Sequence, residues 1–161
     1  MDALTLLKEQ HDEVDELFAK LEKTDDSGEK AELFAELADK LAAHAKIEEV
    51  HFYPAVLAAK TKDLVIESTE EHLAIKRVLA DLLEMDVDDE HFDAKLKVMK
   101  EEVTHHAREE EEGELFPKVK KLLDSDTLEA LGGEMTSMFE ELLEEEPRRD
   151  VPAEIAQAAQ L

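Results

Sequence analysis

His44-Ala-Lys-Ile-Glu48-Glu-Val-His-Phe-Tyr53-Pro54 returns later, altered, as His106-Ala-Arg-Glu-Glu110-Glu111-Glu-Gly-Glu-Leu-Phe116-Pro117. In each copy a histidine stands about one helical turn before a carboxylate, and an aromatic–proline pair follows. A spacing of four puts two side chains on one helix face. A carboxylate on a face that also carries apolar residues is costly unless it is paired or bound to metal. A lone histidine precedes each copy: His11 lies 44 − 11 = 33 residues before His44, and His72 lies 106 − 72 = 34 before His106. Imidazole and carboxylate are the nitrogen and oxygen donors that suit iron, zinc or manganese. A repeat that preserves mainly these residues points to a metal site shared between two halves.

The surrounding sequence has the apolar period of helices. One stripe runs through Leu4, Leu7, His11, Val14, Phe18 and Leu21 in a segment from Asp2 to Lys23. A second, from Glu29 to Lys60, carries Leu33, Leu37, Leu41, His44 and Glu48. A third, ending near Met85, carries His72, Ile75, Leu79 and Leu82, and a fourth, from Glu90 to Leu123, carries Phe92, Leu96, Met99, Val103 and His106. Turn residues at 24–28, 61–63 and 86–89 separate them. Short connections make neighbours antiparallel, so the expected fold is all-α, an up-down-up-down four-helix bundle over residues 1–123.

A shorter additional helix is expected over 124–146, capped by Asp124-Ser-Asp126, weakened by Gly132-Gly133 and ended by Pro147. Residues 147–161 read as a peripheral or partly disordered tail. Pro54 and Pro117 fall inside the second and fourth helices and should bend or interrupt them. Each follows a glutamate by the same interval, 54 − 48 = 6 and 117 − 111 = 6.

Height along the bundle follows from the same arithmetic. His11 precedes the first turn, near Asp26, by 15 residues and His44 follows it by 18; His72 precedes the turn near Val87 by 15 and His106 follows it by 19. At roughly 1.5 Å per residue, each pair lies within about one turn of level. Four histidines on four inward stripes at similar height are hard to explain by packing.

The second carboxylate is ambiguous. Glu110 keeps the spacing from its histidine, whereas Glu111 keeps the distance to proline. The second copy has one extra residue between histidine and proline, 117 − 106 = 11 against 54 − 44 = 10, which a π-bulge near 107–111 would absorb. The candidate metal ligands are therefore His11, His44, Glu48, His72, His106, Glu110 and Glu111. His105 points off the stripe and is a reserve candidate. His51 and His91 read as surface or boundary residues, and Tyr53, the sole tyrosine, as a packing residue first, with a redox or hydrogen-bonding role beside Glu48 as the alternative.

Composition narrows the function. The chain has 161 residues, a formal charge of −25, no cysteine and no tryptophan. That length suits one domain with a real core. Without cysteine there are no disulfides and no thiolate ligands. The strong negative charge opposes nucleic-acid and anionic-membrane surfaces. The first residues carry no basic or apolar signal pattern, and no stretch approaches a membrane span, so a cytoplasmic protein is expected.

Gln10-His11-Asp12-Glu13, His44-x3-Glu48, Phe52-Tyr53-Pro54, His72 and the second histidine–glutamate–Leu-Phe-Pro block together resemble a hemerythrin-like (HHE cation-binding) domain over roughly residues 4–123. That resemblance implies two non-haem iron ions bridged by carboxylates and an oxo or hydroxo group. The glutamates would bridge, and the four histidines would be terminal ligands. The sequence departs from oxygen-carrying hemerythrins, which have a second histidine four residues after the one on the third helix; here that position is Lys76. A protonated lysine is a poor replacement ligand, which favours reactivity over simple reversible carriage.

The expected function is binding of, or reaction with, dioxygen, peroxide or nitric oxide, with reducing equivalents from an external donor. Iron storage or iron-responsive regulation is the alternative class. A zinc-bound structural bundle and a ferritin-like carboxylate site are the other metal readings. The latter would use Glu48–His51 and Glu102–His105 pairs.

Overall fold

Three aspartates start three of the four long helices by accepting backbone amides. Asp2 accepts from Thr5, Asp26 from Glu29 and Asp124 from Thr127, at 2.8–2.9 Å. In the computed structural model, which describes residues 1–159, they open α1 (Ala3–Lys23), α2 (Ser27–Ile47) and α7 (Ser125–Glu144). The remaining elements are π1 (Glu48–Phe52), α3 (Tyr53–Val56), α4 (Lys62–Leu83), α5 (Phe92–Thr104), π2 (His105–Leu115), α6 (Phe116–Leu122), a short 3-10 helix (Pro147–Asp150) and α8 (Val151–Glu154). Here π1 and π2 are π-helical. The result is a helical bundle with an added C-terminal helix, and no described helix is long and apolar enough to cross a membrane.

The prolines act differently from a simple kink. Pro54 and Pro117 lack an amide hydrogen, and their rings crowd the carbonyl four residues back. The helix widens ahead of each. Tyr53 N–H donates to the carbonyl of Glu48, and Phe116 N–H to that of Glu111, both five residues back. The second helix therefore ends its regular part at Ile47 rather than continuing to Lys60, and π2 spans eleven residues against five in π1.

Two apolar layers fill the interior. One joins Val14, Phe18, Leu37, Leu41, Ile75, Leu79, Leu96 and Val103. The other joins Leu4, Leu7, Ile47, Phe52, Val65, Phe116, Leu128 and Met135. On α1, α2, α4 and the α5–π2 segment the inward histidine falls at the crossing between layers: His11 between Leu7 and Val14, His44 between Leu41 and Ile47. His72 likewise lies between Val65 and Ile75, and His106 between Val103 and Leu115. The polar cluster is thus walled off from water by apolar side chains on both sides.

The C-terminal residues correct the sequence reading of a peripheral tail. Glu146 adopts a left-handed conformation with φ 54°, which turns the chain back after α7. Pro147 is buried, Arg148 reaches Asp39 at 2.6 Å, and Val151 is fully buried in the first apolar layer. Val151, with Ile155 packed against the same layer, anchors the segment. Residues 160–161 of the expected tail lie outside the described residues.

Candidate metal centre

The four imidazoles share one orientation. Each Nδ1 donates outward to an acceptor: His11 to Glu112 at 2.8 Å, His44 to Gln10 at 2.7 Å, His72 to Glu49 at 2.7 Å and His106 to Glu71 at 2.8 Å. An imidazole that donates from Nδ1 presents the Nε2 lone pair inward, the arrangement found in metal-bound histidines. All four rings are at least nine-tenths buried.

The inward atoms converge. Donor atoms of His11, His44, Glu48 and Glu111 all lie within 4.8 Å of one another, as do those of Glu48, His72 and His106. Glu48 belongs to both groups. Glu111 Oε1 lies 3.4 Å from His11 Nε2 and 3.3 Å from His106 Nε2, so it too stands between the two pairs. Both carboxylates are completely buried.

These atoms do not satisfy one another. His11 Nε2, Glu48 Oε1 and Glu111 Oε1 are buried without any hydrogen-bond partner. His44 Nε2 approaches Glu48 Oε1 to 2.6 Å but without hydrogen-bond geometry, and His72 Nε2 faces His106 Nε2 at 3.1 Å. Buried lone pairs aimed at one another cost free energy unless a proton or a cation lies between them. The donor set therefore fits a metal.

Without metal, protons must take that role. Burial opposes charge on Glu48, but His44, His106 and His72 outweigh it and hold the carboxyl well below its usual range. Burial likewise opposes charge on His106, yet Glu111, Glu48 and Glu71 raise it well above the usual imidazole value.

Tyr53 takes the hydrogen-bonding alternative rather than plain packing. Its hydroxyl donates to Glu48 Oε2 at 2.6 Å and lies 3.1 Å from Glu111 Oε2, 3.1 Å from His72 Nε2 and 3.3 Å from His106 Nε2. Burial, reinforced by the charges of Glu111 and Glu48, raises its pKa well above the usual phenol value and keeps the proton on the oxygen. A phenol oxygen thus sits inside the cluster.

Glu110 is turned away. It meets His105 Nε2 at 3.0 Å on the outer side of the bundle, and burial together with Glu71 and Glu67 pushes its carboxyl up to about 7. The wider π2 turn brings Glu111 inward instead. His105 is exposed beside Glu109, His51 lies 3.7 Å from Glu134, and His91 is exposed. The ferritin-like alternative loses both its histidines. Lys76 directs its ammonium to Glu49 and Glu154 at 3.0–3.1 Å and offers no lone pair to the centre.

The outer acceptors Gln10, Glu49, Glu71 and Glu112 escaped sequence reading, yet they obey a rule. Each is the chain neighbour of an inner residue and serves a histidine on another segment: Gln10 flanks His11, Glu71 flanks His72, Glu49 flanks Glu48 and Glu112 flanks Glu111. A polar residue beside each stripe position was the available signal. Beside the cluster lies an apolar cavity of about 40 Å³, walled by Val14, Leu41, Ile75, Leu79 and Val103 with the four histidines. One water needs about 10–15 Å³ by the same kind of measure.

Helices arranged around a buried histidine–carboxylate cluster define a metal-binding helical bundle. The chain belongs to the hemerythrin family: the hemerythrin HHE cation binding domain matches residues 2–119. It is similar to a solved structure, a hemerythrin HHE cation binding domain-containing protein from Mycobacterium kansasii that is a homologue of Rv2633c. That likeness has a TM-score of 0.79 at 28% identity, covering 90% of this chain and 89% of the other. A curated relative, a protein named DNA nickase from Nostoc sp., is 26% identical over 129 residues, 80% of this chain. The match spans only 36% of that relative's length.

Proposed function

We propose that this protein is a non-haem di-iron protein that binds or reacts with dioxygen, peroxide or nitric oxide. The observation that carries the reading is the set of buried, unpartnered donor atoms beside a cavity of small-molecule size. One ion would be held by His11 and His44, the other by His72, His106 and the Tyr53 oxygen, with Glu48 and Glu111 shared. Two irons so held would supply the electron transfer that these small molecules require.

The chain's own residues do the rest. The outer acceptors fix each imidazole in one tautomer and raise its basicity. Glu48 and Glu111 offset cationic charge that the apolar layers would otherwise make costly. The cavity walls limit water at the centre, and the Tyr53 hydroxyl, which donates to Glu48 without metal, would give up that proton on binding an ion through its oxygen. Electrons would come from an external donor.

Metal analysis with absorption spectra tests the reading, recorded after anaerobic reduction and again after exposure to dioxygen, peroxide or nitric oxide. Two irons per chain and spectral changes on exposure are expected. Zinc alone, or no response to any of the three, would sink it; iron far above two per chain would favour storage instead. Nickase chemistry is not carried over from the Nostoc relative, because a charge of −25 repels a phosphate backbone.

A further inference from the structure

The two halves of the centre correspond residue by residue. Gln10 serves His44 as Glu71 serves His106, and Glu112 serves His11 as Glu49 serves His72. A cation backs each of the latter carboxylates: Arg108 lies 2.7 Å from Glu112, and Lys76 lies 3.0 Å from Glu49. Those terms match across the halves.

Two pairs do not match. Gln10, a neutral amide, stands where the other half has Glu71. Phe116, with its ring 6.4 Å from that of His11, stands where the other half has Tyr53, 5.3 Å from His72. Both substitutions put the poorer donor in the same half. An imidazole backed by a carboxylate makes a charge-assisted bond, roughly twice as strong as a neutral one, and is more basic at its inner nitrogen. Gln10 has a further distinction. A carboxylate can only accept, whereas the Gln10 amide can also donate, and its Nε2 is buried without a partner. A turned Gln10 would stabilise the other tautomer of His44, whose Nε2 carries a proton and cannot bind metal.

We propose that the two metal positions are unequal: the His72–His106 position fills first and retains its ion, the His11–His44 position is exchangeable, and Gln10 is the residue that sets the difference. This rests on the metal-centre reading above. Occupancy of the weaker position would then follow the supply of divalent transition metal, giving the protein a one-metal and a two-metal form.

Titration of metal-free protein with cobalt(II), followed by calorimetry and visible absorption, tests it. Two steps separated by tenfold or more are expected, on the scale of a lost outer partner. Gln10→Glu should tighten the weaker step about tenfold and leave the stronger one in place. Gln10→Leu, which adds no charge, should loosen the weaker step further and keeps the test open if a buried glutamate disturbs folding. His72→Ala should remove the tight step. Equal steps in the unaltered protein, or Gln10 variants that leave the weaker step where it was, overturn the inference alone. No bound cobalt at all overturns the metal centre with it.

Discussion

π1 and π2 perform one task with different lengths, five residues against eleven. Both end at an aromatic–proline pair, and both use the carbonyl of the inward glutamate to accept an amide five residues ahead. What differs is the distance from histidine to glutamate, four residues in the first copy and 111 − 106 = 5 in the second. The proline therefore sets which glutamate faces inward, and the histidine spacing does not. Extra length is absorbed as further π-helix, because a wider turn takes an additional residue without changing which face the end presents.

The largest test of that comparison is Glu111→Ala beside Glu110→Ala. The first should lose at least one metal per chain by elemental analysis, while the second keeps the full complement. Equal loss from both would break the proposed equivalence of Glu48 and Glu111. Next come Pro54→Ala and Pro117→Ala, which allow the regular helix to continue. Each should weaken metal binding on the order of tenfold, the scale for losing a support that orients a ligand. Unchanged affinity would mean that proline is incidental to the π turns.

Acidity gives a third, graded test on metal-free protein. His106, His72 and His11 are raised above the ordinary 6.5, so their stabilisation is full below that value and lost as pH rises through their folded values. Glu48 is held below the ordinary 4.5, so its share is present above that value and lost as pH falls through its folded one. Metal-free protein should be most stable in mildly acidic solution and weaken on alkalinisation. Metal affinity should do the reverse, since ligands must shed protons. The strongest histidine shift lies in the second copy, so His106→Gln should flatten the alkaline loss in urea melts more than His11→Gln.

The smallest effects concern α7, which packs on α1, α2 and π1. A Cβ at Gly132 would lie 2.3 Å from the Met1 carbonyl oxygen, whereas one at Gly133 meets nothing. Gly132→Ala should cost about 1–3 kcal/mol by overpacking, and Gly133→Ala should gain about 0.5–1 kcal/mol from reduced chain entropy. Thermal melts of both would show how far the first copy depends on this brace. Close agreement between the two variants would mean that the tight contact at Gly132 does not brace the first copy.

The sequence by itself determined the helices, their order, the level of the four histidines and the presence of a buried carboxylate in each copy. These follow from periodicity and spacing, which act along one chain segment at a time. Only the tertiary structure decided between Glu110 and Glu111, drew the Tyr53 hydroxyl into the cluster, paired each histidine with an acceptor on another segment and seated Val151 in the core. Those outcomes depend on rotation about helix axes and on distances between segments far apart in sequence. The residue count signalled a widened turn near 107–111, but the side chain it carries inward depends on how far the widening extends, here from His105 to Leu115.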